Sequence, residues 1–461
     1  MHDMHMLPRL ACAVALAACT AALVPPAHAN PYETTLDNGM KLIVKEDRRA
    51  PSAVHMVWYR AGSMDEPDGV SGIAHMLEHM MFKGTETVGP GEFNRRVSAV
   101  GGRDNAFTSR DYTGYFQQLS PEHLDMMMEL EADRMHRLKL TEQTFVPERS
   151  VIMEERRLRT DDNPHGLMFE QLMATAWQAH PYRRPVIGWM TDIEEYRLAD
   201  AQRWYDQWYT PNNATLVVVG DVDHAEVFAM AEDHYGAIAA REVPERRISR
   251  EPEQRGTRHT TVAAPAELGL LALAWHAPTL RDVTTDRDVY ALQVLSSLLS
   301  GYDGARLPRH LVREQQVALT ASASYSGIAR GPSLFILSAS PSEGHSIAEL
   351  EAALRGEIER IAEEGVSETE LARVITQTVA AEVYKRDSLM GQAMEIGFLE
   401  MAGLSWRDED ALLEGLRAVT VAEVQDVAQR YFGDTTLTRA ELIPQPGPAP
   451  STLRHAKEDA S

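Results

Sequence analysis

Cysteine is nearly absent: the 461 residues hold two, Cys12 and Cys19, both inside the first thirty. A chain that loses that stretch has no thiol, so no disulfide can brace it and no thiolate can ligate a metal; nitrogen and oxygen donors are what remain. Basic excess is missing too. Lys and Arg number 45 against 68 Asp and Glu, a net charge of −23, which leaves no cationic surface to displace counterions from a phosphate backbone and excludes nucleic acid as a partner. The acidity is compatible with a cationic substrate, but solubility is the simpler explanation and the preferred one. Long apolar runs are confined to Leu10–Val24, so no transmembrane segment is expected in the mature chain. Arg9 precedes that run and Pro25-Pro26-Ala27-His28-Ala29 follows it. This is the layout of a signal peptide (1–29) cut before Asn30, and it predicts an exported, periplasmic protein. Leu16-Ala17-Ala18-Cys19 resembles a lipoprotein box that would anchor Cys19 to lipid. The continuation of the apolar run past Cys19 disfavours that reading.

The length suits two large domains better than one core, and 44% hydrophobic with 25% charged residues is ordinary globular composition. Asn38-Gly39 signals a hairpin ahead of a strand at Met40–Val44. Further strands are expected at Ala53–Arg60, Arg103–Phe107, Tyr112–Leu119 and Ala214–Val219, with helices at Pro121–Leu138, Phe145–Arg159 and Ala199–Tyr209. Hairpins mixed with helices predict an α+β fold, antiparallel-rich, not a strict βαβ alternation. Val243–Arg258 is polar and unpatterned, with Pro244 and Pro252, and reads as a linker. Beyond it the pattern repeats weakly: Leu268–Trp275 parallels the Ala53 strand, Asp288–Ser300 takes the place of the helix described next, and Gly365–Lys385 parallels the Phe145 region. Two similar domains follow, 30–242 and 259–443, each a mixed sheet packed with helices. From Pro444 to residue 461 the tail is rich in Pro, Ala and charge, and disorder is expected.

The chemistry concentrates in Ser71-Gly-Ile-Ala-His75-Met-Leu-Glu78-His79-Met-Met-Phe82. At helical period Ile73, Met76, Leu77, Met80 and Met81 share one face, and His75, Glu78 and His79 the other. Ser71 is placed as N-cap. Histidines one turn apart can reach a single ion and the intervening carboxylate a water on it; His-x-x-Glu-His is the inverzincin order. A chance surface pair of histidines remains the alternative for the motif taken alone. A catalytic site needs a third ligand from another element. Glu148-Arg-Ser-Val-Ile-Met-Glu154-Glu155 offers carboxylates, with Glu148 and Glu155 two turns apart on one face, Glu154 about 100° away, and Val151 and Ile152 as the packing side.

His75-Met-Leu-Glu78-His79-Met-Met-Phe-Lys-Gly84-Thr85, followed eighty residues after His75 by Glu155 with Glu148 seven before it, resembles the zinc site of the M16 (pitrilysin) metallopeptidases. Asp162-Asn163-Pro164 and His180-Pro181-Tyr182 are similar to the bacterial two-domain branch, akin to the mitochondrial processing peptidase β subunit. The resemblance runs from about Thr35 to Leu442. It implies one zinc ion on His75, His79 and Glu155, Glu148 supporting the ligands, and Glu78 as the general base of an endopeptidase acting on peptides or unfolded chains. It also implies that Asn105, Ala106, Phe107 and Thr108 form an edge strand to which a peptide adds. In the second domain the family pairs an Arg with a Tyr seven residues later to grip substrate. Arg313 is present, but Thr320 stands at the Tyr position, and Tyr325 lies at an odd strand offset from it. This departure implies a dimer, either of identical chains or with a second M16-like chain that carries the Arg-x6-Tyr pair. A non-catalytic subunit or a peptide-binding protein on the same fold is the competing expectation.

Overall fold

The structure is a computed structural model and describes residues 31–446; the expected signal peptide and most of the expected tail lie outside them. The first half comprises β1 (Tyr32–Thr35), β2 (Lys41–Glu46), β3 (Ala53–Tyr59), α1 (Ile73–Met80), α2 (Glu92–Ala99), β4 (Arg103–Thr108), β5 (Thr113–Leu119), α3 (Leu124–Arg137), α4 (Glu142–Arg156), α5 (Pro164–Ala176), α6 (Met190–Glu195), α7 (Leu198–Trp208), β6 (Ala214–Gly220) and α8 (His224–Tyr235). The second comprises β7 (Arg258–Pro265), β8 (Leu270–Ala277), α9 (Arg287–Ser300), β9 (Ala318–Ser324), β10 (Ser333–Pro341), α10 (Ile347–Glu364), α11 (Glu368–Lys385), α12 (Leu389–Ala402), α13 (Glu409–Arg417), α14 (Val421–Tyr431) and β11 (Leu437–Gln445).

The fold is α+β with two mixed sheets. Strand order is β1-β2-β6-β3-β5-β4 in one and β7-β11-β8-β10-β9 in the other. In each, one parallel pairing (β2 with β6, β7 with β11) joins strands otherwise paired antiparallel. Without β1 the two orders coincide strand for strand, so the weak repeat in the sequence is a repeat of topology. The Asn38-Gly39 hairpin forms as expected: β1 and β2 pair from Thr35↔Lys41 to Tyr32↔Val44, and Gly39 supplies the left-handed residue at φ 85°. β11 runs two residues past the expected boundary at 443, because Pro444 and Gln445 pair with Ala264 and Pro265.

The two halves are interlocked. Each sheet packs its own helices on one face, while the other face is covered by a helix from the opposite half. Met168, Leu172 and Ala176 of α5 pack on Leu270, Ala272 and Ala274 of β8. Reciprocally, Leu389, Ala393 and Ile396 of α12 pack on Val54, Met56 and Trp58 of β3. Both sheets therefore bury two faces, which is why β3 and β6 are apolar at nearly every position and do not alternate. Gly397 is what permits the approach of α12. A Cβ there would lie 2.1 Å from Cε2 of Trp58. Gly397→Ala should lower stability by about 1–3 kcal/mol through overpacking, despite alanine's better helix propensity; a thermal melt unchanged or raised by the substitution would contradict this packing account.

Candidate metal and peptide site

The helix α1 forms where the period predicts it. Ile73, Ala74, Met76, Leu77 and Met80 are buried, and the opposite face presents His75, Glu78 and His79. Its start differs from expectation. Ser71 is not the N-cap; Gly72 is, in the left-handed region at φ 87°. The Ser71 hydroxyl instead donates to Asp192 Oδ2 at 2.6 Å and accepts from the Trp189 amide at 3.0 Å. The free first-turn amides go to Glu66, whose carboxylate accepts from Gly72 N at 2.7 Å and Ala74 N at 3.0 Å. The Glu66 oxygens thus do what a hydroxyl cap would do, while burial pushes that carboxyl up to about 8 against the two amide bonds.

The helix α4 runs beside α1 and starts at a Thr141 cap. Phe145 and Ile152 point inward, whereas Val151, expected on the packing side, is 49% exposed. Glu148 and Glu155 share the face toward α1, and Glu154 turns to solvent and pairs with Arg157. One residue after Glu155, at Arg156, the helix ends and the backbone widens into a five-residue π turn, Arg157–Asp161, a distortion typical of functional sites. Buried Arg156 anchors this turn, reaching Glu170 of α5 at 2.8 Å and the Gly188 carbonyl at 2.7 Å. Gly188 in turn packs against Ser71 and Gly72, so one guanidinium ties the end of α4 to the beginning of α1.

The donors converge. His75 Nε2 is 3.7 Å from Glu155 Oε1, and His79 Nε2 is 3.4 Å from Glu155 Oε2. The three ligand atoms lie within 4.8 Å of one another. Two imidazoles and a carboxylate on one side of a shared point are the donor set and spacing of a catalytic zinc site, so these residues fit that ion. His79 Nδ1 is held by Glu148 Oε1 at 2.8 Å, and Lys83 Nζ holds Glu148 Oε2 at 2.6 Å. Arg159, exposed, sits 2.7 Å from Glu155 Oε1. Burial, with His79 beside it, pushes His75 down to about 4, leaving its lone pair free at neutral pH. Burial opposes ionisation of His79 as well, but the bonds to Glu148 and Glu155 override it and raise that group to about 9. Burial also raises the Glu78 carboxyl, against a hydrogen bond from Thr108 Oγ1 at 2.5 Å. A second acidic group with a histidine, Glu46, Asp223 and His224, is already committed: Asp223 caps α8 and His224 Nδ1 bonds Glu46 at 2.7 Å.

The β4 strand is the edge of its sheet, paired only with β5. Thr108 and Ala106 face the α1 side, Thr108 by its bond to Glu78 and Ala106 by packing on the same core as α1. Phe107 faces the other way, edge-on to Trp58 at 5.1 Å. The Ala106 amide, on the open edge, is held by Asn105 Oδ1 at 2.9 Å. Arg313 is not brought to this cluster. It is exposed on the turn Pro308–Glu314 and donates to the Asp303 carbonyl at 2.6 Å. Thr320 is exposed on β9, while Tyr325 is buried and donates to the Pro278 carbonyl at 2.6 Å, on the opposite face as the odd offset requires. Asn163 caps α5, and His180 caps the turn that places Tyr182 against Asp111; both are structural. Lys83, Arg159, Glu66 and Arg156 are the supporting residues that pattern reading passes over. Arg159 had a signal, being four residues after Glu155 on a helical path; Glu66 had none, since its partners depend on the loop fold.

If Glu78 acts as a base here, Thr108→Val should lower turnover on the order of tenfold by freeing that carboxylate to misorient. It should also move the acid limb of the pH–rate profile upward, because the lost hydrogen bond is the one holding Glu78 down. An unshifted limb would separate Thr108 from the base.

Two family models match the chain: Insulinase (Peptidase family M16) over residues 41–189 and Peptidase M16 inactive domain over 197–378. The zinc protease PqqE of Helicobacter pylori is 32% identical over 431 residues, covering 90% of this chain and 95% of that protein. The crystal structure of a protease from Helicobacter pylori superposes with a TM-score of 0.85 at 30% identity over 90% of this chain and 99% of the other. The periplasmic protease PqqL from Escherichia coli shares the fold, with a TM-score of 0.76 at 20% identity over 90% of this chain and 48% of that one.

Proposed function

The chain belongs to the M16 family of peptidases, in its two-domain bacterial branch, and from that premise we propose that it is a zinc-dependent endopeptidase of peptides or unfolded chains. The observation that carries this reading is the convergence of His75, His79 and Glu155 beside a half-buried Glu78 that bonds Thr108 of the edge strand β4. His75, His79 and Glu155 would hold the ion, with Glu148 orienting His79 through Nδ1. Zinc bound there supplies an acidified water and a polarised carbonyl. The chain's own residues do the rest. The β4 edge holds the peptide main chain once Asn105 releases the Ala106 amide. Glu78, its carboxyl raised by burial, takes a proton from the water and returns it to the leaving amine, while Thr108 keeps its carboxylate aimed.

Thr320 in place of a tyrosine, and Arg313 tied to Asp303 away from the cluster, support a further element of the reading: a partner chain contributes the second grip on the substrate. The export segment supports a periplasmic location, and no described helix is long and apolar enough to cross a membrane. The test is hydrolysis of an internally quenched peptide by the purified chain, with and without a chelator. Activity that a chelator abolishes and zinc restores is expected, as is stimulation by an M16-like chain bearing Arg-x6-Tyr. Hydrolysis insensitive to chelation would refute the zinc reading, and full activity of the homogeneous chain would refute the need for a different partner.

A further inference from the structure

An open cavity of about 530 Å³ lies in the second half, far in sequence from the His-Glu cluster, lined by α9, α12, α13, the end of α11 and the 325–328 loop. That volume suits a small organic molecule. Its walls are apolar on most sides: Val289, Tyr290, Tyr325, Phe398, Leu413 and Leu416. Tyr290 and Tyr325 spend their hydroxyls on the carbonyls of Val283 and Pro278, so they offer the cavity ring surface and no polar demand.

The polar wall is unbalanced. Glu382, Glu395 and Glu409 line the cavity with Lys385, and Arg386 stands behind them. Lys385 is taken by Glu382 at 2.6 Å. Arg386 pairs with Glu409 and reaches Glu395 Oε2 only at 3.7 Å. Each cation thus has a carboxylate of its own, and Glu395 is left over. Its Oε2 is buried without a hydrogen-bond partner among the described residues, as are Nε and Nη2 of Arg386, so the 3.7 Å contact between them leaves both short of a hydrogen bond. α12, which carries Glu395 and Phe398, is the exchanged helix; its opposite face lies on β3. We propose that this cavity binds an apolar molecule bearing one ammonium group, its hydrocarbon on the Tyr290–Phe398–Leu413 wall and its charge at the Glu395 carboxylate.

Burial, then the neighbouring Glu409, pushes the Glu395 carboxyl up to about 7 against the pull of Arg386, with Glu382 and Lys385 acting in opposite senses from α11. A bound ammonium favours the ionised carboxylate. An amine that stays protonated should therefore bind about tenfold more tightly at pH 8 than at pH 6.

The test is calorimetric titration of the full chain with octylamine, octanol and octanoate, which share a hydrocarbon and differ in charge. Octylamine is expected to bind at least tenfold more tightly than the other two, and Glu395→Gln to bring it down to the level of octanol. Leu413→Trp, which fills the cavity, should remove binding of all three in a protein shown by its thermal melt to be folded. Glu155→Gln, which disables the proposed zinc site, should leave octylamine binding unchanged, so the result stands apart from the peptidase reading. Equal binding of amine and carboxylate, a preference that survives Glu395→Gln, absence of binding, or dependence on Glu155 would each overturn the proposal.

Discussion

Glu78→Gln is expected to lower peptide hydrolysis by about 10²–10⁴-fold while the chain keeps its zinc. The substitution is close to isosteric. The amide oxygen still accepts the Thr108 hydroxyl that bonds Glu78 Oε2 at 2.5 Å, so the side chain stays in place and what vanishes is its capacity to take a proton. Glu78 lies on the ligand face of α1 but outside the group of donors formed by His75, His79 and Glu155. Metal content, read by elemental analysis, should therefore match the unaltered chain, whereas Glu155→Gln should lose it. That pairing separates base from ligand: one variant inactive with metal, the other inactive without. Hydrolysis by Glu78→Gln at the original rate would sink the assignment of the base, whatever its metal content.

The largest stability effect is expected behind the site. Arg134 and Glu131 of α3 are 1% and 0% exposed and form a two-pronged pair at 2.7 and 2.6 Å. Glu131 also accepts from Gln117 Nε2 at 3.2 Å, and Gln117 bonds buried His55 at 2.7 Å. The guanidinium lies over the rings of Phe93 and Tyr115, each 4.4 Å to the centroid, and Phe82, at 5.2 Å, ends the Ser71–Phe82 run that carries the histidines. Arg134→Met removes the cation and leaves Glu131 charged in a dry interior. Breaking such a pair costs about 3–5 kcal/mol, much more than the pair itself contributes over an apolar substitute. The double substitution Arg134→Met with Glu131→Leu should therefore recover much of the loss in a denaturant melt. If the single and double variants were equally unstable, the cost would have to be assigned to the lost ring contacts instead of to a stranded carboxylate.

These two expectations differ in how far they can be read from the chain. His75, Glu78 and His79 announce themselves because a helix turns through a fixed angle per residue, so three residues at spacings of three and one share a face wherever the helix sits. Glu148 and Glu155 follow the same rule. The Asn38-Gly39 hairpin is local in the same sense, because the turn needs one left-handed residue and Gly39 takes that conformation without steric cost. Arg134 carries no such signal. It reads as a helix-surface cation, and its burial depends on Phe82, Phe93 and Tyr115 arriving from three other elements. Ser71 shows the opposite error: a hydroxyl in the position of a cap is diverted to Asp192, more than a hundred residues away, once Glu66 takes the amides.

By itself the sequence determined the helix that carries His75, Glu78 and His79, the spacing of its carboxylate partners, a weak repeat of strand and helix segments, and the family. These follow from periodicity and turn chemistry, which act over a few residues. Tertiary structure alone decided that α5 and α12 cross to cover each other's sheets, that Glu66 and Arg156 fix the two ends of the site, that Arg313 stays outside it, and that Glu395 is stranded beside an apolar cavity. Each of these depends on which distant surfaces meet, and a buried face records only that it is apolar, not which half of the chain will cover it.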